Sequence, residues 1–296
     1  MSPGPPLAVL FTMDCLPPAR KRRVNPHPRT WAASSRNIDA FSATLLGAGH
    51  RPTLFCTLSV VANHTPALEE YATAGAEIGL LVDPSELRPG LRHPLGHYGR
   101  DDQREIVRVS VHRFSQLMGS RPRSVRTLEF SASDETFAVL RQEGFLQGSV
   151  SEPGRRVRQH RAVWDGAVPD PHLADPDNRL RAGSLEFLEI PITTDAAQST
   201  GGVPPELNLD LGEFEKWHHP LADAQLERME RDHVEFRDLC WLARSGAPYG
   251  EGGAPCTRAL HGAIEFVEAL RDRFQVTSLT VTQAHIEFRR LAAPAC

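Results

Sequence analysis

Residues 7–14 read Leu-Ala-Val-Leu-Phe-Thr-Met-Asp, an apolar run of strand length that stops on a carboxylate. A strand without polar alternation is buried on both faces, as in the parallel sheets of α/β proteins. A helix follows from Ser34 or Ser35, either of which can cap it, to about Ala48, with Ile38, Phe41, Leu45 and Leu46 on one face and Gly49 as its stop. Residues 52–58 read as a second strand. Thr65-Pro66 predicts the start of the next helix, with Thr as cap and Pro at the first helical position, running to Ala74. Residues 76–82 form a third apolar strand, which again ends on an acid, Asp83.

The alternation continues with a loop over 84–99, a helix over 101–118 and a strand over 124–128 leading to Glu129. A helix over 133–143 and a strand over 145–150 come next. Residues 151–181 lack periodicity and are rich in Arg, Pro and Asp, which suits a functional loop or a lid. A strand over 185–193 resumes the pattern. Leu226, Met229, Val234, Phe236 and Leu239 predict one long helix over 221–242. The last elements are a helix over 257–274, a strand over 276–281 and a helix over 282–291. Strands that alternate with helices imply a parallel sheet. Seven or eight such units predict an α/β fold, a single domain over 1–296 built as a distorted barrel with long inserted loops, and an open doubly wound sheet is the alternative. No GxGxxG follows the first strand, so a dinucleotide site has no support.

The net charge of −4 argues against a nucleic-acid partner. Arg20, Lys21, Arg22 and Arg23 are consecutive and read as a solvated loop, with anion binding as the other reading. No apolar stretch reaches membrane-spanning length, and no signal-peptide pattern is present. The cysteines Cys15, Cys56, Cys240, Cys256 and Cys296 are odd in number and scattered, without CxxC spacing, which suits a reducing cytoplasm.

Several ordered segments resemble the polysaccharide-deacetylase family, the NodB-homology or carbohydrate esterase family 4 group. They are Phe11-Thr12-Met13-Asp14, Gly75-Ala76-Glu77-Ile78-Gly79-Leu80, Arg121-Pro122-Arg123-Ser124-Val125-Arg126, Ser131-Ala132-Ser133-Asp134-Glu135-Thr136 and Glu143-Gly144-Phe145. The resemblance covers most of the chain and implies a distorted (β/α)7 barrel. It also implies hydrolysis of N- or O-acetyl groups with a divalent metal held by one Asp and two His. Asp14 stands at the family's catalytic base. Cys15 replaces the metal-binding Asp, and Leu81 and Ser85 occupy the two His positions. Leu81 has no lone pair, so the usual site cannot form, and no metal and no other cofactor is expected. Asp14, Cys15 and Asp83, joined by His93 or His97, are what remains for a non-standard site. Arg126 matches the family's arginine, whereas the late Leu-x-His motif has no counterpart, with 247–252 in its approximate place.

Strand ends are where such barrels build their sites. Asp14, Asp83, Arg126 and Glu129 are therefore the candidate catalytic residues, with Arg126 orienting Asp14. Trp164, His97 and Tyr98 are candidate substrate contacts, and Trp164 could equally pin the long loop by packing. The favoured expectation is a metal-independent acid/base enzyme acting on a small polar molecule by isomerisation, cyclisation, dehydration or hydrolysis. A non-catalytic binding module is the first alternative, and a deacetylase with non-standard ligands is the second. Oligomeric state is not legible.

Overall fold

The structure is a computed structural model that describes residues 4–19 and 27–292. The basic run at 20–23 and Cys296 therefore lie outside the described residues. The central strand is β1 (Pro6–Cys15), one residue longer at each end than expected and buried along almost its whole length. β2 (Thr53–Cys56), β3 (Glu77–Val82), β4 (Ser124–Thr127) and β5 (Gln147–Gly148) follow it in the sheet. β6 (Arg156–Val157) and β7 (Ala162–Val163) form a separate antiparallel hairpin. β8 (His172–Leu173) and β9 (Leu188–Glu189) extend the main sheet, and β10 (Asp238–Arg244) and β11 (Gln275–Ser278) both pair with β1.

The sheet order is β10-β1-β2-β3-β4-β5-β9-β8, with β11 also on β1. All pairings from β10 to β9 are parallel, and only β8 runs against its neighbour. The free edge of β10 is closed by the chain after β9: Thr193 N–H donates to the Cys240 carbonyl at 3.2 Å, and Leu242 N–H to the Leu207 carbonyl at 2.8 Å. The result is the expected distorted barrel, closed by irregular chain rather than by a regular strand.

Among the described residues seven helices flank the sheet: α1 (Trp31–Gly47), α2 (Leu58–Thr73), α3 (Arg100–Met118), α4 (Thr136–Gln142), α5 (His219–Arg231), α6 (Pro255–Ala269) and α7 (Val281–Ala292). α1 begins earlier than expected, because Thr30 rather than Ser34 or Ser35 caps it, accepting from Ala33 N–H at 3.1 Å. α2 also starts well before Thr65-Pro66. Val60 and Val61 are fully buried and draw the chain into helix, and the Thr65 hydroxyl donates back to the Val61 carbonyl at 2.7 Å instead of capping.

The single helix expected over 221–242 is two elements. α5 stops at Arg231, His233 turns the chain with φ 54°, and β10 follows. The run Leu239-Cys240-Trp241-Leu242-Ala243 is completely buried, so it satisfies the same criterion as β1. The segment 151–181 is not loose. Gly154 N–H donates to the Trp164 carbonyl, Trp164 N–H to the Arg155 carbonyl, and the Trp164 indole N–H to the Phe130 carbonyl at 2.8 Å. No helix among the described residues is long and apolar enough to cross a membrane.

Candidate active site

β1 delivers Asp14 to the carboxyl end of the sheet, where it is 3% exposed. Its Oδ1 accepts from Arg126 Nη1 at 2.8 Å. Arg126, at the end of β4, is fully buried, and its other donors are committed as well. Nε donates to the Ser149 carbonyl at 2.9 Å, and Nη2 donates to Thr12 Oγ1 at 3.0 Å and Ser149 Oγ at 2.7 Å. The guanidinium lies over the Phe55 ring at 4.4 Å. A planar fork held at this many points cannot rotate, so it fixes Asp14 through a charge-assisted bond. The pairing expected of Asp14 and Arg126 is thus present, and Oδ2 of Asp14 is left without a protein donor among the described residues.

Beyond this pair the site is built from residues the sequence reading missed. Arg244, the last residue of β10, is the register partner of Asp14. Its Nη1 meets Asp210 Oδ2 at 3.2 Å, and Asp210 Oδ1 also accepts from Tyr249 Oη at 2.9 Å. Burial opposes the Arg244 charge, but Asp210, Glu206, Asp14 and Glu152 together outweigh it and raise its pKa. Arg244 is therefore a fixed cation ringed by carboxyl groups. Glu152 is fully buried and accepts from Arg155 Nη1 at 2.8 Å. Burial pushes the Glu152 carboxyl well up, and the Glu206 carboxyl within hydrogen-bonding reach adds to this. A second carboxyl group so close disfavours the charged form of Glu152.

Glu189, in β9, lies on the other side of the Arg126 region. Its Oε1 accepts from Val150 N–H, Ser151 N–H and Ser151 Oγ at 2.8, 2.7 and 2.8 Å, whereas Oε2 is buried without a partner. Burial pushes its pKa up to about 7 despite those bonds and the nearby Arg126. A carboxyl group that titrates there can take or give a proton in neutral water.

Asp83 and Glu129 stand apart from Asp14 in their bonding. Asp83 Oδ1 accepts from Ser85 N–H at 2.9 Å and Ser85 Oγ at 2.7 Å, which caps the turn after β3. Glu129 Oε2 pairs with Arg155 at 3.5 Å and His160 at 3.3 Å. Glu129 and Phe130 both hold left-handed backbone, at φ 62° and 55°, which turns the chain sharply after β4. Neither acid shares a direct partner with Asp14. Trp164 is fully buried, and of its two readings the geometry matches the packing anchor rather than an exposed stacking face. His97 and Tyr98 line a separate cavity of about 620 Å³ on the rim, with Arg158, Arg161 and Arg179.

The residues at the family's metal positions do not fit a metal ion. Leu81 is buried among apolar side chains, and Ser85 Oγ is spent on Asp83. The Cys15 thiol is fully buried beside the Cys56 thiol, and burial pushes its pKa well up in the metal-free protein. No group of three His, Cys, Asp or Glu side chains among the described residues is placed to hold a metal ion.

No family model matches the sequence, and no curated protein matches it. Solved structures do. A polysaccharide-deacetylase candidate from Mycobacterium smegmatis superposes with a TM-score of 0.65 at 17% identity, covering 100% of this chain and 95% of that one. The Puue allantoinase gives 0.61 at 14% identity over 98% of this chain and 92% of its own. A protein described as a probable polysaccharide deacetylase from Pseudomonas aeruginosa PAO1 gives 0.59 at 13% identity over 96% and 91%. The chain thus has the polysaccharide-deacetylase fold. At these identities the likeness is one of fold, and what the site does rests on its own residues.

Proposed function

We propose that the barrel mouth is the active site of a metal-independent enzyme, a divergent relative of the carbohydrate esterases and deacetylases. It would act on a small polar, carbohydrate-like molecule by acid/base chemistry, with hydrolysis of an acyl or amide linkage as the favoured reaction. The observation that carries this reading is the state of Asp14: one oxygen is locked by Arg126, and the other has no protein donor among the described residues and lies near a buried cation, Arg244. A carboxylate held this way is an oriented proton acceptor. Glu152, whose carboxyl is pushed up by burial, would supply a proton to a leaving group, and Arg244 would stabilise negative charge that develops on the reacting oxygen.

The test is a screen of acetylated saccharides and cyclic amides for product release in chelator-treated buffer, followed by Asp14→Asn on any substrate found. Asn keeps the size and an oxygen for Arg126 but is not a base. Turnover should fall by about 10²–10⁴-fold with the fold intact. Full turnover in Asp14→Asn, or turnover that disappears with chelator and returns with added zinc, would sink the proposal. A site that binds such molecules but never turns them over would indicate a non-catalytic binding module.

A further inference from the structure

We propose that the rim cavity at His97 is a binding site for a small ligand carrying an oxyanion, a carboxylate or a phosphate group. The cavity, of about 620 Å³, is open between three loops that leave β3, β4 and β5, so it lies at the same end of the barrel as Asp14. Arg158, Arg161 and Arg179 contribute guanidinium groups, and His97, Tyr98 and Gly99 form the facing wall. Arg179 is neutralised by Asp134 at 2.6 Å. Arg158 and Arg161 are exposed and form no ion pair among the described residues. Among the described residues Glu135, the other acid in the wall, accepts only from the Ser133 hydroxyl at 2.8 Å, so three guanidinium groups face two carboxyl groups across the cavity.

Two features make this more than a pair of surface arginines. First, the hairpin turn that carries them is pinned. His97 Nε2 donates to the Gln159 carbonyl at 3.0 Å, His160 pairs with Glu129 at 3.3 Å, and Ala132 N–H donates to the Arg161 carbonyl. Arg161 is also held at φ 55°, a conformation that non-glycine residues rarely adopt and that recurs at ligand sites. Because a carbonyl only accepts, the His97 proton sits on Nε2, and Nδ1 is not used in that bond. Second, α3 starts at this wall with Gly99 at its N-cap, which supplies no side-chain acceptor to its first N–H groups. These groups carry the positive end of the helix dipole, which Asp101 and Asp102 in the first turn offset only in part. Gly96 lets this wall approach: a Cβ there would meet the backbone of Ala132 at 2.6 Å.

Fork-shaped donors without an internal partner suit a planar or tetrahedral oxyanion and offer a neutral sugar little. Ligand-observed NMR with glucuronate, inorganic phosphate and glucose tests this on the full chain. Glucuronate or phosphate should bind and glucose should not; whichever acid binds identifies the group. Arg158→Gln with Arg161→Gln should weaken binding by about tenfold or more, and single Arg158→Gln should weaken it by less. Circular dichroism would confirm the fold of each variant. Asp14→Asn should bind as the unaltered protein does, so loss of the catalytic proposal would leave this one standing. Failure of both acids to bind the unaltered protein, or equal affinity in the folded double variant, would overturn it.

Discussion

At the barrel mouth every buried guanidinium among the described residues meets an acid side chain: Arg126 meets Asp14 at 2.8 Å, Arg155 meets Glu152 at 2.8 Å and Glu129 at 3.5 Å, and Arg244 meets Asp210 at 3.2 Å. In the rim cavity Arg158 and Arg161 face solvent without such a partner among the described residues. The same residue type thus plays two parts on one end of the barrel. Inside the mouth, charge is matched internally because an unmatched ion there would be prohibitively costly. On the rim, water covers that cost, so a guanidinium can stay unmatched until a ligand arrives. Rigidity follows matching in the first region, and recognition follows its absence in the second.

The sharpest way to break this contrast is Arg126→Ala. It leaves the Asp14 carboxylate and the Ser149 carbonyl without their donor in a buried setting. The expected loss is about 3–5 kcal/mol of folding stability, read by denaturant unfolding. A loss below about 1 kcal/mol would mean that water enters the mouth freely and that the region is no more matched than the rim.

Next in size is the pH response carried by Glu189. Its folded pKa, about 7, lies above the ordinary carboxylate value, so the folded state binds this proton more tightly than the unfolded chain does. The stabilisation is complete below the ordinary carboxylate range and is lost as pH rises through about 7. The full swing is on the order of 3 kcal/mol. Glu189→Gln, which cannot ionise, should show a flatter decline of stability from mildly acidic to mildly alkaline buffer. Parallel curves for the two proteins would show that Glu189 titrates normally.

The smallest effect is expected on the rim. Arg158→Gln and Arg161→Gln should each change stability by no more than about 0.5 kcal/mol, because neither breaks an internal pair. A larger loss in either would reveal a structural partner and move that residue into the matched region.

The architecture and part of the site were legible from local patterns. Residues 7–14 declare a strand buried on both faces, which the structure has, and an acid at its end, which stands one residue before the strand's last residue, Cys15. Asp14 with Arg126 came from ordered segments, since no spacing rule links positions so far apart. The helix expected over 221–242 failed because its apolar spacing suits a helical face, while Leu239–Ala243 obeys the strand rule more strictly. Arg244 ends that apolar run just as Asp14 ends the first, so the signal was present and hidden by the helical reading. Glu189 was visible as an acid inside an apolar strand, Leu185-Glu186-Phe187-Leu188-Glu189-Ile190. Glu152, Glu206 and Asp210 lie in irregular chain, where only tertiary packing decides what they meet.

The placement of β1 has a consequence for synthesis. β2 is close in sequence, but β10 and β11 arrive much later; the Thr12 hydroxyl donates to the Trp241 carbonyl across 229 positions. Until the ribosome has extruded residue 244, one edge of a largely apolar strand waits without its partner. At ordinary elongation rates that wait lasts on the order of tens of seconds. An unpaired apolar edge is a template for association with other nascent chains. A chaperone that shields this edge would act on the strand carrying Asp14, which is the earliest of the sheet's strands to be made and among the last to be fully paired.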